Sequence, residues 1–281
     1  MAIQIGLGHT SPLLLVALRL NLAAIAAVAV VVVTGRMRQT YRVLRDRHVW
    51  EIGGIYALGF VIQFVGQAWA GVANATLLSN LFPVFAPLIA VSILGEPLSR
   101  PRALALCLAL AGLVAIASPS WGVNSDQIAG DALLLGSAMA FAWFIVLSKR
   151  NGIDSPSHAL GVVVVMGVLV TPLVGFYGFT SPTGLAVPYA TWEAAAYLAM
   201  PCTVFALSLY LTGLEGIAAG LSAMLLLLEP VVGLLLAAAF YHGAVTLPIV
   251  IGAVFIVSGL LAASWVDSRP NPSAASGRPA R

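Results

Sequence analysis

Of the 281 residues, 60% are hydrophobic and only 8% are charged, whereas an ordinary soluble domain carries about a quarter charged residues. A chain this poor in charge cannot coat itself in water, which excludes a soluble enzyme or binding module and makes lipid the natural solvent of its exterior. The net charge of +3 would suggest nucleic acid in a soluble protein; here the basic residues gather between apolar runs, so topology accounts for them and no nucleic-acid partner is implied.

A helix crosses the bilayer core in about 20 apolar residues. That window predicts an all-α bundle with spans near 12–33, 49–69, 74–94, 101–118, 131–149, 157–179, 191–212, 217–241 and 245–266. The first run, Thr10 to Thr34, is too long for a signal peptide and ends in a basic loop instead of a small-residue cleavage site. The breaks carry turn chemistry: the basic stretch Arg36 to Arg47, Gly95-Glu96-Pro97, the polar segment Pro119 to Gly130, Lys149 to Ser157, and Thr180 to Pro188 with its two prolines. The apolar runs are continuous, not alternating, so a β-barrel is excluded. Cys107 and Cys202 both fall inside apolar runs and read as small buried residues, not a disulfide. The tail 267–281 is rich in Pro, Ser and Ala and is expected to be disordered.

Charge predicts the orientation. Arg36, Arg38, Arg42, Arg45 and Arg47, then Arg100 and Arg102, then Lys149 and Arg150, then Arg269, Arg278 and Arg281 all fall on one side if the spans alternate. The opposite loops, near 70–73, 119–130, 180–190 and 242–244, hold no Lys or Arg. The positive-inside rule then makes the basic side, and the C-terminus, cytoplasmic in an inner (plasma) membrane.

The chain also resembles itself. LLSNLFPVFAPLIAVSILGEPLSRPRALALCLALAGLVA aligns without a gap on LLLLEPVVGLLLAAAFYHGAVTLPIVIGAVFIVSGLLAA when Pro83 is set on Pro230. Pro101 then meets Pro248, Gly112 meets Gly259 and Leu113 meets Leu260. Upstream, Ser11-Pro12 and Ser155-Pro156 each open a helix at nearly the same distance from these pairs. The turn at Gly95-Glu96 lies on the basic side and the matching His242-Gly243 on the other, so two inverted repeats are expected, over 1–118 and 131–266. Inverted repeats are a hallmark of secondary transporters. The helix at 131–149 has no counterpart before Ser11, where only ten residues stand; the sequence implies a first helix absent from this chain.

The segments SPLLLVALRL at 11–20, NATLLSNLFPVFAPLIAVSILGEPLS at 74–99 and LSAMLLLLEPVVGLLLAAAF at 221–240 resemble the drug/metabolite transporter superfamily, in particular its EamA-type branch. The resemblance spans nearly the whole chain through the order and spacing of these pieces. It implies a bundle of two inverted five-helix repeats that exports amino acids or other small metabolites. His242-Gly243 departs from the Gly-Glu pair that the branch often carries there.

Polar groups are expensive in hydrocarbon, so those inside spans are candidates for solute handling. Arg19 sits a third of the way into the first span, and Glu229 stands mid-span just before Pro230. Both are candidates for a polar solute group, and Glu229 also for the proton of a coupled cycle. Gln63, Gln67, Trp69, Asn74 and Asn80 form a polar and aromatic stripe, with Gln63 and Gln67 four apart on one helix face; Trp143 and Tyr210 are the expected matching wall. Pro83, Pro87 and Pro230 each remove a backbone hydrogen bond and are candidate hinges. The alternatives are a helix-packing ion pair or snorkelling for Arg19 and Glu229, a static kink for the prolines, and interhelical hydrogen bonding for the amides. Gly112 and Gly259 are expected to allow close helix approach, with no direct role. Trp50, Trp121, Trp192 and Trp265 lie at span ends as interface anchors.

The sequence holds no GxxxxGK[ST] loop for nucleotide and no His/Cys cluster with metal-ligand spacing, so no cofactor is implied. The expected partners are a small-molecule solute and membrane lipid, with pairing to a second copy left open. Two other classes stay in view: a membrane enzyme acting on lipid-like substrates, which needs Glu51, Glu215 and a histidine to converge, and a sensor or assembly subunit.

Overall fold

The computed structural model describes residues 3, 7, 8, 10–70, 72–96, 98–117, 125–180, 187–233 and 247–267. Among them there is no strand. In hydrocarbon every backbone N–H and C=O must find a partner within its own segment, and a helix provides this. Helix α1 (Pro12–Val33) opens as expected. The Ser11 Oγ accepts from the Leu14 N–H at 3.3 Å, and Pro12 occupies the first turn, where its missing N–H is not needed. The basic stretch that follows was expected to be a loop but holds a short amphipathic helix, α2 (Met37–Leu44). Thr40 and Val43 face inward and the arginines outward. Helix α3 (Arg47–Trp69) starts on Asp46, whose carboxylate accepts from the His48 N–H.

The third expected span, 74–94, is broken. Helix α4 (Val72–Ser79) ends in a turn at Asn80–Leu81 before α5 (Phe82–Leu94) begins. The Asn80 Nδ2–H donates to the Thr76 carbonyl at 2.8 Å, a carbonyl near the end of α4. Pro83 therefore occupies the first turn of α5, where a proline fits, and it is not the interior breaker expected from the sequence. Gly95 closes α5 at φ 68°, a left-handed conformation natural to glycine. Helix α6 (Arg100–Ala117) follows, then α7 (Ser125–Arg150), which starts six residues before the span expected at 131. Helix α8 (Pro156–Thr180) opens like α1, with the Ser155 Oγ accepting from the His158 N–H at 3.3 Å.

The seventh span is one continuous rod of three parts: α9 (Tyr189–Ala199), a wide π-turn (Met200–Phe205) and α10 (Ala206–Leu214). Helix α11 (Ala219–Leu225) breaks at Leu226–Leu227 and resumes to Gly233. Helix α12 (Leu247–Asp267) is the last. Among the described residues, six helical segments are long and apolar enough to cross a membrane: 12–33, 47–69, 74–94, 125–150, 156–177 and 189–214. Ala219–Gly233 and Val250–Ala263 are shorter apolar stretches. The turn at His242-Gly243, the rest of the eighth span and the tail beyond Asp267 lie outside the described residues.

Helix α1 packs on α8 and α9, and α3 on α7 and α8, around one large core; α6 and α12 pack on each other in a second. Contacts between helix ends show that the basic segments share one face of the bundle. Val43 lies against Gly161, Lys149 reaches Leu214, and Glu96 reaches Ala219. On the opposite face Trp69 and Ala70 meet Gly130. Cys107 and Cys202 are both free.

The α6–α12 contact depends on glycine. A Cβ on Gly259 would stand 2.6 Å from the Ala105 carbonyl oxygen, and one on Gly252 would stand 2.6 Å from Ile116. Gly112 faces the Gly252 carbonyl in the same way. Gly175 in α8, by contrast, has nothing within 4 Å of its Cβ position. Overpacking a tight contact typically costs about 1–3 kcal/mol. Gly259→Val is therefore expected to lower the melting temperature in detergent by several degrees, while Gly175→Ala leaves it within about a degree, both read by thermal unfolding.

Candidate functional site

The centre of the large core is a charged residue. Arg19 on α1 is only 4% exposed. Its Nε–H donates to the Thr203 Oγ1 at 3.0 Å and its Nη2 to the Cys202 carbonyl at 3.4 Å. Both partners lie on the π-turn between α9 and α10. The turn has a local cause in Pro201, which brings no N–H to the helical ladder. The widened backbone presents the Cys202 carbonyl to Arg19, and the Thr203 hydroxyl donates in turn to the Leu198 carbonyl at 2.7 Å. A guanidinium has five N–H donors. Two are engaged in these bonds.

The guanidinium also stacks over the Phe60 ring, 4.3 Å from its centroid, with Phe64 at 5.6 Å. Such contacts stabilise a desolvated cation by about 2 kcal/mol. From Phe60 a run of rings crosses the bundle. Tyr56 lies 4.8 Å from Phe60 and stacks on Phe144 at 4.0 Å, and Phe141 meets both Phe60 and Tyr56 edge-on. Phe144 leads to Tyr210 at 6.5 Å. The Tyr210 hydroxyl accepts from the Ser222 Oγ at 2.9 Å, which ties α10 to α11. Seven residues beyond Ser222 stands Glu229, exposed just past the break in the eighth span. The outer side of the π-turn borders an open groove of about 520 Å³, lined also by Val30, Thr34 and Arg36.

The structure brings some of the expected residues together and leaves others apart. Arg19 and Tyr210 belong to the cluster. Gln63 and Gln67 are half-buried along α3, beyond Phe60. Trp69 ends that helix, half exposed, nine residues and so about 13 Å from Phe60 along the axis. Asn74 is fully buried, and its Nδ2–H donates to Asp131 at 2.9 Å. Asn80 serves the break in the fourth helix. Trp143 lies on the exposed side of α7, and the ring beside Tyr210 is its neighbour Phe144. Pro87 is buried inside α5, and Pro230 is half-buried just past the break in the eighth span. Glu51 pairs with His48 at 3.2 Å within the first turn of α3.

Tyr56, Phe60, Phe141, Phe144 and the π-turn were not singled out in the sequence. Their signal was present: Tyr56 and Phe60 are four apart, Phe141 and Phe144 three apart, so each pair shares a helix face. A proline at 201 inside an apolar span marked the turn.

Comparisons with known proteins bear on this arrangement. The model of the EamA-like transporter family matches residues 1–118 and again 128–265. The chain is 27% identical over 276 residues to a Bacillus subtilis (strain 168) protein described as an uncharacterized transporter, YyaM, covering 94% of this chain and 88% of that one. It is 28% identical over 269 residues to a Salmonella typhimurium (strain LT2) protein described as a probable amino-acid metabolite efflux pump, covering 92% and 87%. A solved crystal structure superposes with a TM-score of 0.76 over 94% of both chains at 21% identity, which shows a shared fold.

The Thr203 hydroxyl both accepts from Arg19 and donates to Leu198. Leaving buried partners unmatched costs about 1–3 kcal/mol each. Thr203→Val is expected to lower the melting temperature by several degrees, and Thr203→Ser, which keeps the hydroxyl, by much less; thermal unfolding of the two variants in parallel checks it.

Proposed function

The chain belongs to the EamA-like transporter family, and on that premise we propose that it is a secondary active exporter of amino acids or related small metabolites, working by alternating access. It is a multi-pass membrane transporter, not an enzyme. The finer reading rests on one observation above all. A buried cation on α1 is bonded to the π-turn of the seventh span, beside a wall of aromatic rings.

Arg19 has N–H donors beyond those engaged by Thr203 and Cys202, and a guanidinium pairs naturally with a carboxylate. The rings offer an apolar side chain a surface. Glu229, exposed beside the break in the eighth span, is the group for a solute ammonium or a coupling proton. The description of the Salmonella relative as a probable amino-acid metabolite efflux pump supports an amino-acid-like solute.

The broken helices supply the hinges. The interruptions at Asn80–Leu81 and Leu226–Leu227 lie just before Pro83 and Pro230, the prolines on which the two halves align. Discontinuous helices at the midplane are a recurring device of transporters. Two matches of one family model to one chain support the same two-repeat reading, over 1–118 and 131–266. The face carrying Arg36 to Arg47, Arg100, Arg102 and Lys149 is cytoplasmic by the positive-inside rule, which puts the C-terminus there in an inner membrane.

In proteoliposomes loaded with labelled amino acids, the full chain is expected to release at least one of them faster than protein-free vesicles do. Arg19→Met and Glu229→Gln are each expected to slow that release by roughly tenfold or more, the effect of removing one charged contact. No movement of any amino acid or related metabolite through the wild-type protein would overturn the reading.

A further inference from the structure

A second set of contacts between distant parts of the chain, partly exposed, lies at the basic face, around the connection from α10 to α11. Helix α10 ends at Leu214 and α11 begins at Ala219. A helix end leaves carbonyls without partners at its C-terminus and N–H groups without partners at its N-terminus. Both ends of this connection are served by charged side chains from elsewhere. The Lys149 Nζ, at the end of α7, donates to the Leu214 carbonyl at 2.9 Å and to the Glu215 carbonyl at 2.7 Å. The Glu96 carboxylate, in the turn after α5, accepts from the Ala219 N–H at 3.0 Å and the Gly220 N–H at 3.3 Å. Each charge has the sign that its helix end attracts, cation at the C-terminus and anion at the N-terminus.

Gly220 also lies beside Pro87, where a Cβ would meet the proline ring at ordinary contact distance, 3.4 Å. Pro87, Glu96, Leu98, Arg102, Gly220 and Met224 line a half-open crevice of about 10 Å³, scarcely room for one water, so the helices meet closely at this point. When Pro83 is set on Pro230, the position matching Glu96 is Gly243, which has no side chain to repeat the contact. On the opposite face α4 meets α7 through a hydrogen bond from the Asn74 amide to the Asp131 carboxylate.

We propose that Glu96 and Lys149 form the gate of the basic face: they hold the α10–α11 connection against the α5–α6 turn and the end of α7, and that face opens when both grips release. The inference rests on the alternating-access reading for its purpose, but its structural content can be tested without a solute. Four charge-assisted bonds within one short connection hold it far more firmly than packing against Pro87 alone.

The test uses Met224→Cys, a position 2% exposed on the inner side of the seal. Vesicles with the basic face outward are treated with a charged, membrane-impermeant maleimide, and labelling is measured above the background from Cys107 and Cys202. Adding Glu96→Gln or Lys149→Met is expected to speed labelling by roughly tenfold or more, the usual effect of losing a charge-assisted bond. Lys149→Arg, which still donates to carbonyls, is expected to stay near the wild-type rate. Ala70→Cys on the opposite face, labelled in oppositely oriented vesicles, monitors the fold and is expected not to change. Unchanged labelling at 224 in both variants would overturn the gate. So would a parallel rise at 70, which marks general loosening. A gate that responds in a protein that moves no solute would count against the transport reading and leave the gate standing.

Discussion

A polar group is costly to leave unmatched where water does not reach, and this cost shapes the parts of the protein that depart from a greasy helix. Arg19 is the severest case. A guanidinium in the middle of a core of Leu, Val and Phe needs partners, and the chain supplies them by widening the opposite helix into a π-turn. Asn80 answers the Thr76 carbonyl at the break in the fourth helix. Lys149 and Glu96 answer the two helix ends at the basic face. In each case a departure from regular helix coincides with a polar side chain brought from near or far to complete it.

The same constraint makes these points movable. Bonds within a regular helix are local and open only if the helix unfolds. Bonds between a side chain and a distant helix end can be exchanged for bonds to a solute or to water as the surroundings change. Arg19 joins the first half of the chain to the second through two hydrogen bonds and a ring contact, and the aromatic run from Phe60 to Tyr210 carries that junction to α11. On the proposed transport reading, solute recognition and helix rearrangement would involve the same few residues, as a carrier requires if binding is to bias one conformation over another.

Much of this was legible in the sequence. Length and hydropathy located the helices, because lipid imposes a fixed length on them. Ser11-Pro12 and Ser155-Pro156 marked helix starts through a side-chain acceptor and a ring that needs no donor. Gly112 and Gly259 marked close approach between α6 and α12. Arg19 stood out because a lone cation in an apolar run has few explanations. Less legible was which way side chains face. In a helix apolar on all sides, periodicity does not separate a lipid-facing ring from a core ring, so Trp143 was favoured over Phe141 and Phe144 beside it. The break at Asn80–Leu81 precedes its proline by a few residues, so it could not be placed from Pro83 alone. The amphipathic helix at 37–44 was hidden by its arginines, which read first as a loop.

In the proposed cycle the bundle rocks on its broken helices, around the Arg19 cluster, so that its two ends open in turn. Paired spin labels test it most directly, one pair at Leu98 and Gly216 on the basic face and the other at Ala70 and Val187 on the opposite face. The account predicts two distances at each end in membranes, with conditions that lengthen the 98–216 distance shortening the 70–187 distance. A single narrow distance at both ends under every solute and pH condition would contradict it.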